Sequence, residues 1–103
     1  MRKLQWSKEQ VRGPWQECMD WASSLEEDGH TDWRLPMIDE LYAAFDRETG
    51  KSKIEDMQSD YYWSATTSAP NTAGAWGVVF SNGYVYNDYK TGSDYARCVR
   101  EME

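Results

Sequence analysis

Apolar positions recur along the chain at two spacings, and each spacing predicts its own elements. Trp15, Cys18, Met19, Ala22 and Leu25 fall at helical spacing and define one stripe. Gly13-Pro14 opens that helix, because a proline near the first helical position gives up only an N–H that has no partner there. Glu26-Glu27-Asp28-Gly29 predicts its end; glycine stops a helix well, although acids in a last turn oppose the dipole. Asp32-Trp33-Arg34-Leu35-Pro36 predicts extended chain, since the residue before a proline avoids the α region. Ile38, Leu41, Tyr42 and Phe45 predict a second helix, with Asp39 and Glu40 at its positive end and Gly50 after it. Aromatic and β-branched runs predict strands at Leu4–Trp6, at Tyr61–Ser64, on both sides of Asn82-Gly83, and at Ala96–Arg100. Segments 49–60, 65–75 and 90–95 read as loops, the first anchored by Ile54 and Met57. Two helices followed by an antiparallel sheet predict an α+β fold, in a single domain over residues 1–103.

The most ordered pattern lies between Trp76 and Tyr89. Asn82-Gly83 sits between two strand-like runs, and a two-residue type I′ turn needs positive φ at both central positions, which Asn and Gly tolerate. That turn pairs Ser81 with Tyr84, Phe80 with Val85, Val79 with Tyr86, Val78 with Asn87 and Trp76 with Tyr89. Alternation then predicts a packed face of Trp76, Val78, Phe80, Val85, Asn87 and Tyr89. The opposite face carries Gly77, Val79, Ser81, Tyr84, Tyr86 and Asp88 and is predicted to be displayed.

Composition narrows what such a surface can meet. The net charge is −7, with the acids concentrated in residues 16–60, which argues against phosphate backbones, heparin-like glycans and anionic membranes as partners. No stretch approaches a transmembrane span. The first residues are basic without an apolar run, so no signal peptide is expected. Six Trp and seven Tyr in 103 residues supply more aromatic mass than so small a core needs. From Ser81 to Tyr95, twelve of fifteen residues are Tyr, Ser, Asn, Asp or Gly. That set builds antibody paratopes, where Tyr gives contact area at low entropy cost and small polar residues adapt. β-propensity accounts for Tyr84 and Tyr86; it accounts less well for Tyr89 and Tyr95 among Gly, Asn and Asp.

Asp-Trp-Arg-Leu-Pro at 32–36, Tyr-Trp-Ser-Ala-Thr at 62–66 and Arg-Cys-Val-Arg at 97–100, taken with Trp6, Trp15-Gln16-Glu17, Glu40-Leu41, Ala75-Trp76, Phe80 and Gly83, carry a resemblance from about Trp6 to Arg100. In that order they resemble the C-terminal domain of the Legionella collagen-like adhesin and its relatives. The resemblance implies a C-type-lectin-like fold, related to formylglycine-generating-enzyme-like domains, with two helices packed on a small twisted antiparallel sheet. It implies a binding module at an extracellular, cell-surface or virion location. Some relatives resemble the variable proteins of diversity-generating retroelements, whose C-terminal strands and loops carry the ligand surface. On that footing a protein or glycan ligand is expected to meet Tyr84, Tyr86, Asp88, Tyr89 and Tyr95, with Asn71 and Lys90 beside them. The other reading is an assembly role, in which the domain forms a homo-trimer or caps a surface or phage fibre. The chain departs from the family at Met37, where a Thr would cap the second helix and pair with Glu40; its start is expected to be weaker by ~1 kcal/mol.

Catalytic and metal chemistry find little material. The family's relation to formylglycine-generating enzymes raises a catalytic cysteine, but neither Cys18 nor Cys98 has His or Asn partners nearby, and His30 lies in a Gly-flanked turn. No enzyme activity and no cofactor are expected. Ala69-Pro70-Asn71 with Tyr86-Asn87-Asp88 resembles the Glu-Pro-Asn and Trp-Asn-Asp pair of calcium-dependent sugar-binding lectins. Ala69 replaces the primary carboxylate ligand, so calcium-dependent sugar binding is not expected. For Cys18 and Cys98 two readings stay open: a disulfide from the first helix to the last strand, which the family arrangement suggests although its helix cysteine aligns with Ala22, or two buried free thiols. Trp33, Trp63 and Trp76 are expected in the core. Arg34 is expected to tie loops together, and Arg97 and Arg100 to form a solvated or salt-bridged edge.

Overall fold

Residues 3–69 and 72–102 are described by a computed structural model. In chain order they form β1 (Lys3–Gly13), α1 (Trp15–Ser24), α2 (Ile38–Ala43), β2 (Phe45–Asp46), β3 (Lys51–Ser52), β4 (Tyr61–Thr67), β5 (Gly74–Val79), β6 (Val85–Tyr89) and β7 (Asp94–Met102). Five strands share one sheet in the order β1-β7-β4-β5-β6, and β2 and β3 pair separately. The class is α+β. The sheet is mostly antiparallel, but β7 enters between β1 and β4 and runs parallel to β4, with Tyr62 beside Tyr95.

β1 is much longer than the predicted Leu4–Trp6. Its register against β7 slips between Trp6 and Gln10, and that bulge breaks the alternation by which a strand is read. The slip is held by side chains. Glu27 accepts from the Lys8 N–H (2.8 Å) and the Glu9 N–H (3.0 Å), one on each carboxylate oxygen. Ser7 is fully buried, and its hydroxyl accepts from the Cys98 N–H at 3.0 Å. Arg97 fills the other side of this join. It is 5% exposed, and it donates to the Ser7 carbonyl and, at 2.6 Å, to the Glu55 carbonyl. The expectation of a solvated edge is therefore corrected for Arg97. It holds for Arg100, which pairs with Asp32 at 2.8 Å.

α1 begins after Pro14 as predicted but ends at Ser24, and Leu25 is already extended. Glu26 to Asp28 thus lie outside the helix and do not oppose its dipole. Asp28 and Gly29 both take positive φ (56° and 76°), and Glu27 and His30 exchange backbone bonds across them at 3.2 and 2.9 Å. The turn with positive φ at both central positions occurs here.

α2 spans six residues, and Phe45 falls beyond it in β2. Met37 makes no side-chain cap, but other groups take over that task. The Thr66 hydroxyl, from β4, accepts from the Ile38 N–H at 3.0 Å. Glu40 accepts from the Met37 N–H at 2.8 Å while holding Arg34 through both of its oxygens, at 2.7 and 2.9 Å. The weaker start expected from Met37 is offset by a residue 29 positions away in sequence. Arg34 ties this corner to β7 as well, bridging backbone to Val99 and reaching Glu101 at 3.3 Å.

The β5–β6 hairpin turns differently from the prediction. Its register is Val78 opposite Val85, Gly77 opposite Tyr86 and Trp76 opposite Asn87. The two-residue turn is replaced by the longer loop Phe80-Ser81-Asn82-Gly83, in which only Gly83 has positive φ (79°). The Gly83 N–H bonds the Val79 carbonyl at 2.6 Å, and the Val79 N–H bonds the Tyr84 carbonyl at 2.9 Å. Arg47 fastens the loop by donating to the Gly83 carbonyl at 2.6 Å. Phe80 leaves the ladder because it is buried against Phe45 and Tyr62, at 5.9 and 5.3 Å between rings. The register moves by two residues, so each side chain keeps its predicted face.

Alternation along β4 sends neighbouring residues into two cores. Trp63 joins Cys18, Ala22, Leu25, Trp33, Leu35, Ala75, Ala96 and Cys98 on the side of α1. Tyr62 joins Leu41, Ala44, Phe45, Val78 and Phe80 on the side of α2. The predicted packed face of the hairpin holds for Val78 and Phe80 and, in part, for Trp76. It fails for Val85 and Tyr89, which are 42% and 65% exposed, and for Asn87, also exposed. The short α2 covers β4 and β5 and stops before the edge strand.

Candidate functional site

Tyr84, just before β6, and Tyr89, its last residue, stand at the edge of the sheet and are 71% and 65% exposed. Their backbone is fixed although their rings are free. The Tyr84 N–H donates to Asn82 Oδ1 at 2.9 Å, and the Tyr89 N–H donates to Asp88 Oδ1 at 2.8 Å. Five residues apart in extended chain, they stand on opposite faces of the edge. Tyr84 shares its face with Tyr61, which is 45% exposed and meets Tyr86 edge-on at 4.9 Å.

Tyr86 was expected to be displayed, and the structure corrects this. Its cross-strand partner is Gly77, and the phenol ring occupies the space a side chain would take there: a Cβ on Gly77 would lie 2.6 Å from both Tyr86 Cζ and its hydroxyl oxygen. The hydroxyl is shared between the Tyr62 carbonyl at 3.2 Å and Asp94 Oδ2 at 3.3 Å. Burial, followed by the charge of Asp94, raises the phenol far above its ordinary range. A glycine inside an aromatic strand is the sequence signal for such a close approach, and it went unused.

Asp94 falls in the predicted 90–95 loop, but it starts β7 and is 6% exposed. Burial pushes its carboxyl up to about 7; its hydrogen bond to Asp88 and the charge of Asp88 push the same way, and the Tyr86 hydroxyl opposes them. Asp88 is half-buried, its Oδ2 close to Gly92, where a Cβ would come within 2.9 Å. The Asp94 carboxyl holds a proton that in the unfolded chain would leave near 3.8. Between those values the folded state binds more protons, so this group's contribution to stability is present at low pH and is lost as pH rises towards 7. Asp94→Asn, which still accepts from Tyr86, is expected to flatten that slope in melts from pH 4 to 7.5. The difference should not exceed the ~1.4 kcal/mol per pH unit of one whole proton. Parallel profiles for the two proteins would refute the assignment.

The remaining expected residues do not converge on one surface. Tyr95 stacks on Tyr62 at 5.5 Å, with the Arg12 guanidinium 5.6 Å from its ring; it faces the α2 side, away from Tyr86. Lys90 lies with its ammonium 4.1 Å from the Trp15 ring, and its backbone bonds Ala73 at 2.9 Å and Trp15 at 3.0 Å, so it joins the hairpin to α1. Asn71 lies outside the described residues. Arg47, which sequence reasoning passed over, stacks 3.5 Å from the Tyr42 ring beside the 80–83 loop.

Cys18 and Cys98 lie in one core cluster as buried free thiols, the second of the two readings left open above. Cys18 turns its sulfur to the Gly13 carbonyl at 3.5 Å. Burial is the main cause that pushes the thiols up to about 11 and about 12. They are held in the uncharged form and behave as small apolar side chains. Among the described residues no helix is long and apolar enough to cross a membrane.

No curated protein matches this chain. The sequence profile of the Lcl C-terminal domain family matches residues 1–100. With nearly the whole chain covered, and with Trp33, Arg34 and Trp63 placed as packing and tying residues, the chain belongs to the Lcl C-terminal domain family, that of the Legionella collagen-like adhesin C-terminus.

Proposed function

We propose that the domain is a non-enzymatic recognition module of C-type-lectin-like fold, working at a cell or virion surface, with Tyr84 and Tyr89 as its aromatic anchors and Asp88 between them. The observation that carries this is the exposure of two large tyrosines whose own backbone N–H and C=O groups are all bonded. A pre-ordered aromatic loses little entropy on binding, and aromatic anchors dominate interface energies. The ligand is a protein or a glycan. The acidic balance disfavours an anionic one, and membership of an adhesin-associated family supports the surface setting. The same Tyr, Asn, Ser and Gly composition at the edge suits a variable protein of a diversity-generating retroelement.

A glycan array and a pull-down, each run in calcium and in chelator, would find the ligand. Tyr84→Ala with Tyr89→Ala is then expected to weaken binding at least about tenfold while stability moves by less than about 0.5 kcal/mol. Tyr86→Ala and Tyr95→Ala are expected to lose stability instead, by about 2 kcal/mol each. Binding that survives the Tyr84 and Tyr89 changes would place the site elsewhere. A trimeric or fibre-capping role would appear as a stable trimer in solution.

A further inference from the structure

β6 is the last strand of its sheet, and its hydrogen-bonding groups can be sorted by direction. The Val79 N–H bonds the Tyr84 carbonyl, and the Lys90 N–H bonds the Ala73 carbonyl, both at 2.9 Å. Residues 84, 86, 88 and 90 therefore aim their peptide groups at β5, and Val85, Asn87 and Tyr89 aim theirs outward. Tyr89 is already satisfied: its N–H by Asp88 Oδ1, its carbonyl by the Gly92 N–H at 2.8 Å. The N–H and C=O of Val85 and Asn87 remain, and among the described residues no strand pairs with them. Among the described residues none of the usual edge guards is present. Five consecutive residues pair with β5 without a bulge, and Val85-Tyr86-Asn87 contains neither Lys nor Pro, the usual guards of an open edge.

We infer that this edge is an interface between two copies of the chain, with β6 pairing antiparallel to β6 of a second copy about a two-fold axis through Tyr86. That register sets Val85 opposite Asn87 of the second copy, and Asn87 opposite its Val85. Each pair exchanges both of its bonds, so the four free groups of each chain find four complementary groups on the other. The same register sets Tyr84 beside Asp88 of the second copy, a phenol donor beside a carboxylate acceptor. The free stretch is only three residues long, which gives a lone extended peptide few bonds. A folded copy adds the exposed Tyr84 and Val85 side chains to the contact.

Sedimentation velocity over a concentration series tests this. The wild-type chain is expected to pass from one chain to two. Val85→Pro and Asn87→Pro each remove an N–H that points away from β5, so the intramolecular ladder and the far-ultraviolet spectrum are expected to stay as they are. Each change removes two bonds across the two-fold axis and is expected to raise the dimer dissociation constant about tenfold or more. An equal mixture of Val85→Cys and Asn87→Cys chains should oxidise to a linked pair faster than either variant alone, since the paired Cα atoms lie within disulfide reach. A wild type that stays monomeric throughout, a trimer, or a dimer unaffected by both prolines overturns the inference. The first outcome would leave the edge to a foreign strand.

Discussion

Gly77→Ala is expected to cost about 3 kcal/mol, a loss of about 15 °C in melting temperature for a domain of this size. The added methyl group meets two neighbours of different kinds. On one side is the carbonyl oxygen of Tyr62, in steric overlap with it; on the other is the Tyr86 ring, with Cζ at 2.6 Å. A ring can swing aside, but a carbonyl in the middle of the β4–β5 ladder cannot move without breaking the pairing of Tyr62 with Val78. The two parts separate in a double-mutant cycle. In a Tyr86→Ala background the ring conflict is gone and the backbone conflict remains. The double variant should therefore lose less than the sum of the single changes, yet more than Tyr86→Ala alone. Strict additivity in denaturant melts would show that the ring does not lie over Gly77.

Arg97→Met is expected to lose a further 2–3 kcal/mol or so, an effect of the same order reached by another route. Met keeps much of the buried stem and gives up the donors to the Ser7 and Glu55 carbonyls. Burial already pushes the Arg97 guanidinium below its ordinary range, so removing the charge returns part of what its two carbonyl partners lose. The loss should be local before it is global. Hydrogen exchange at the Ser7–Gln10 bulge and through residues 55–60 is expected to quicken first, because Arg97 is the common tie between them. Arg97→Lys should recover little, since one ammonium on a flexible stem does not reproduce a planar fork reaching two carbonyls. Uniform loss of protection across the sheet would instead assign Arg97 to general packing.

What was legible in the chain was local and periodic. The α1 stripe, the extended Asp32–Pro36 segment and the grouping of hairpin residues by side of the sheet follow from spacing, and that grouping survives a wrong turn because the register error is an even number; which residues of each side are covered does not follow from it. The obscure parts depend on residues far apart in sequence. Nothing near Met37 reveals that Thr66 will cap its helix, and nothing near Lys8 reveals that Glu27 will bridge the bulge. The candidate site suffered in the same way. Tyr84 and Tyr86 look alike two residues apart on one face, and only the absence of a side chain across the ladder at Gly77 draws Tyr86 inward. Asp94 and Lys90 are not legible from their neighbours because their partners, Tyr86 and Trp15, belong to other elements.

The place of β7 has a consequence for how the molecule is made. Its neighbours are β1 and β4, so an interior position of the sheet, beside the edge strand β1, is filled by the last of the seven strands in chain order. Until about residue 102 has cleared the ribosome, β1 has no strand to pair with and the two cores lack Ala96, Cys98 and the ring of Tyr95. Folding is thus deferred to the end of translation of this segment and proceeds through contacts of long sequence separation, which places it among slow folders, on the millisecond-to-second scale. During that interval the strands that will later be interior are open to other chains.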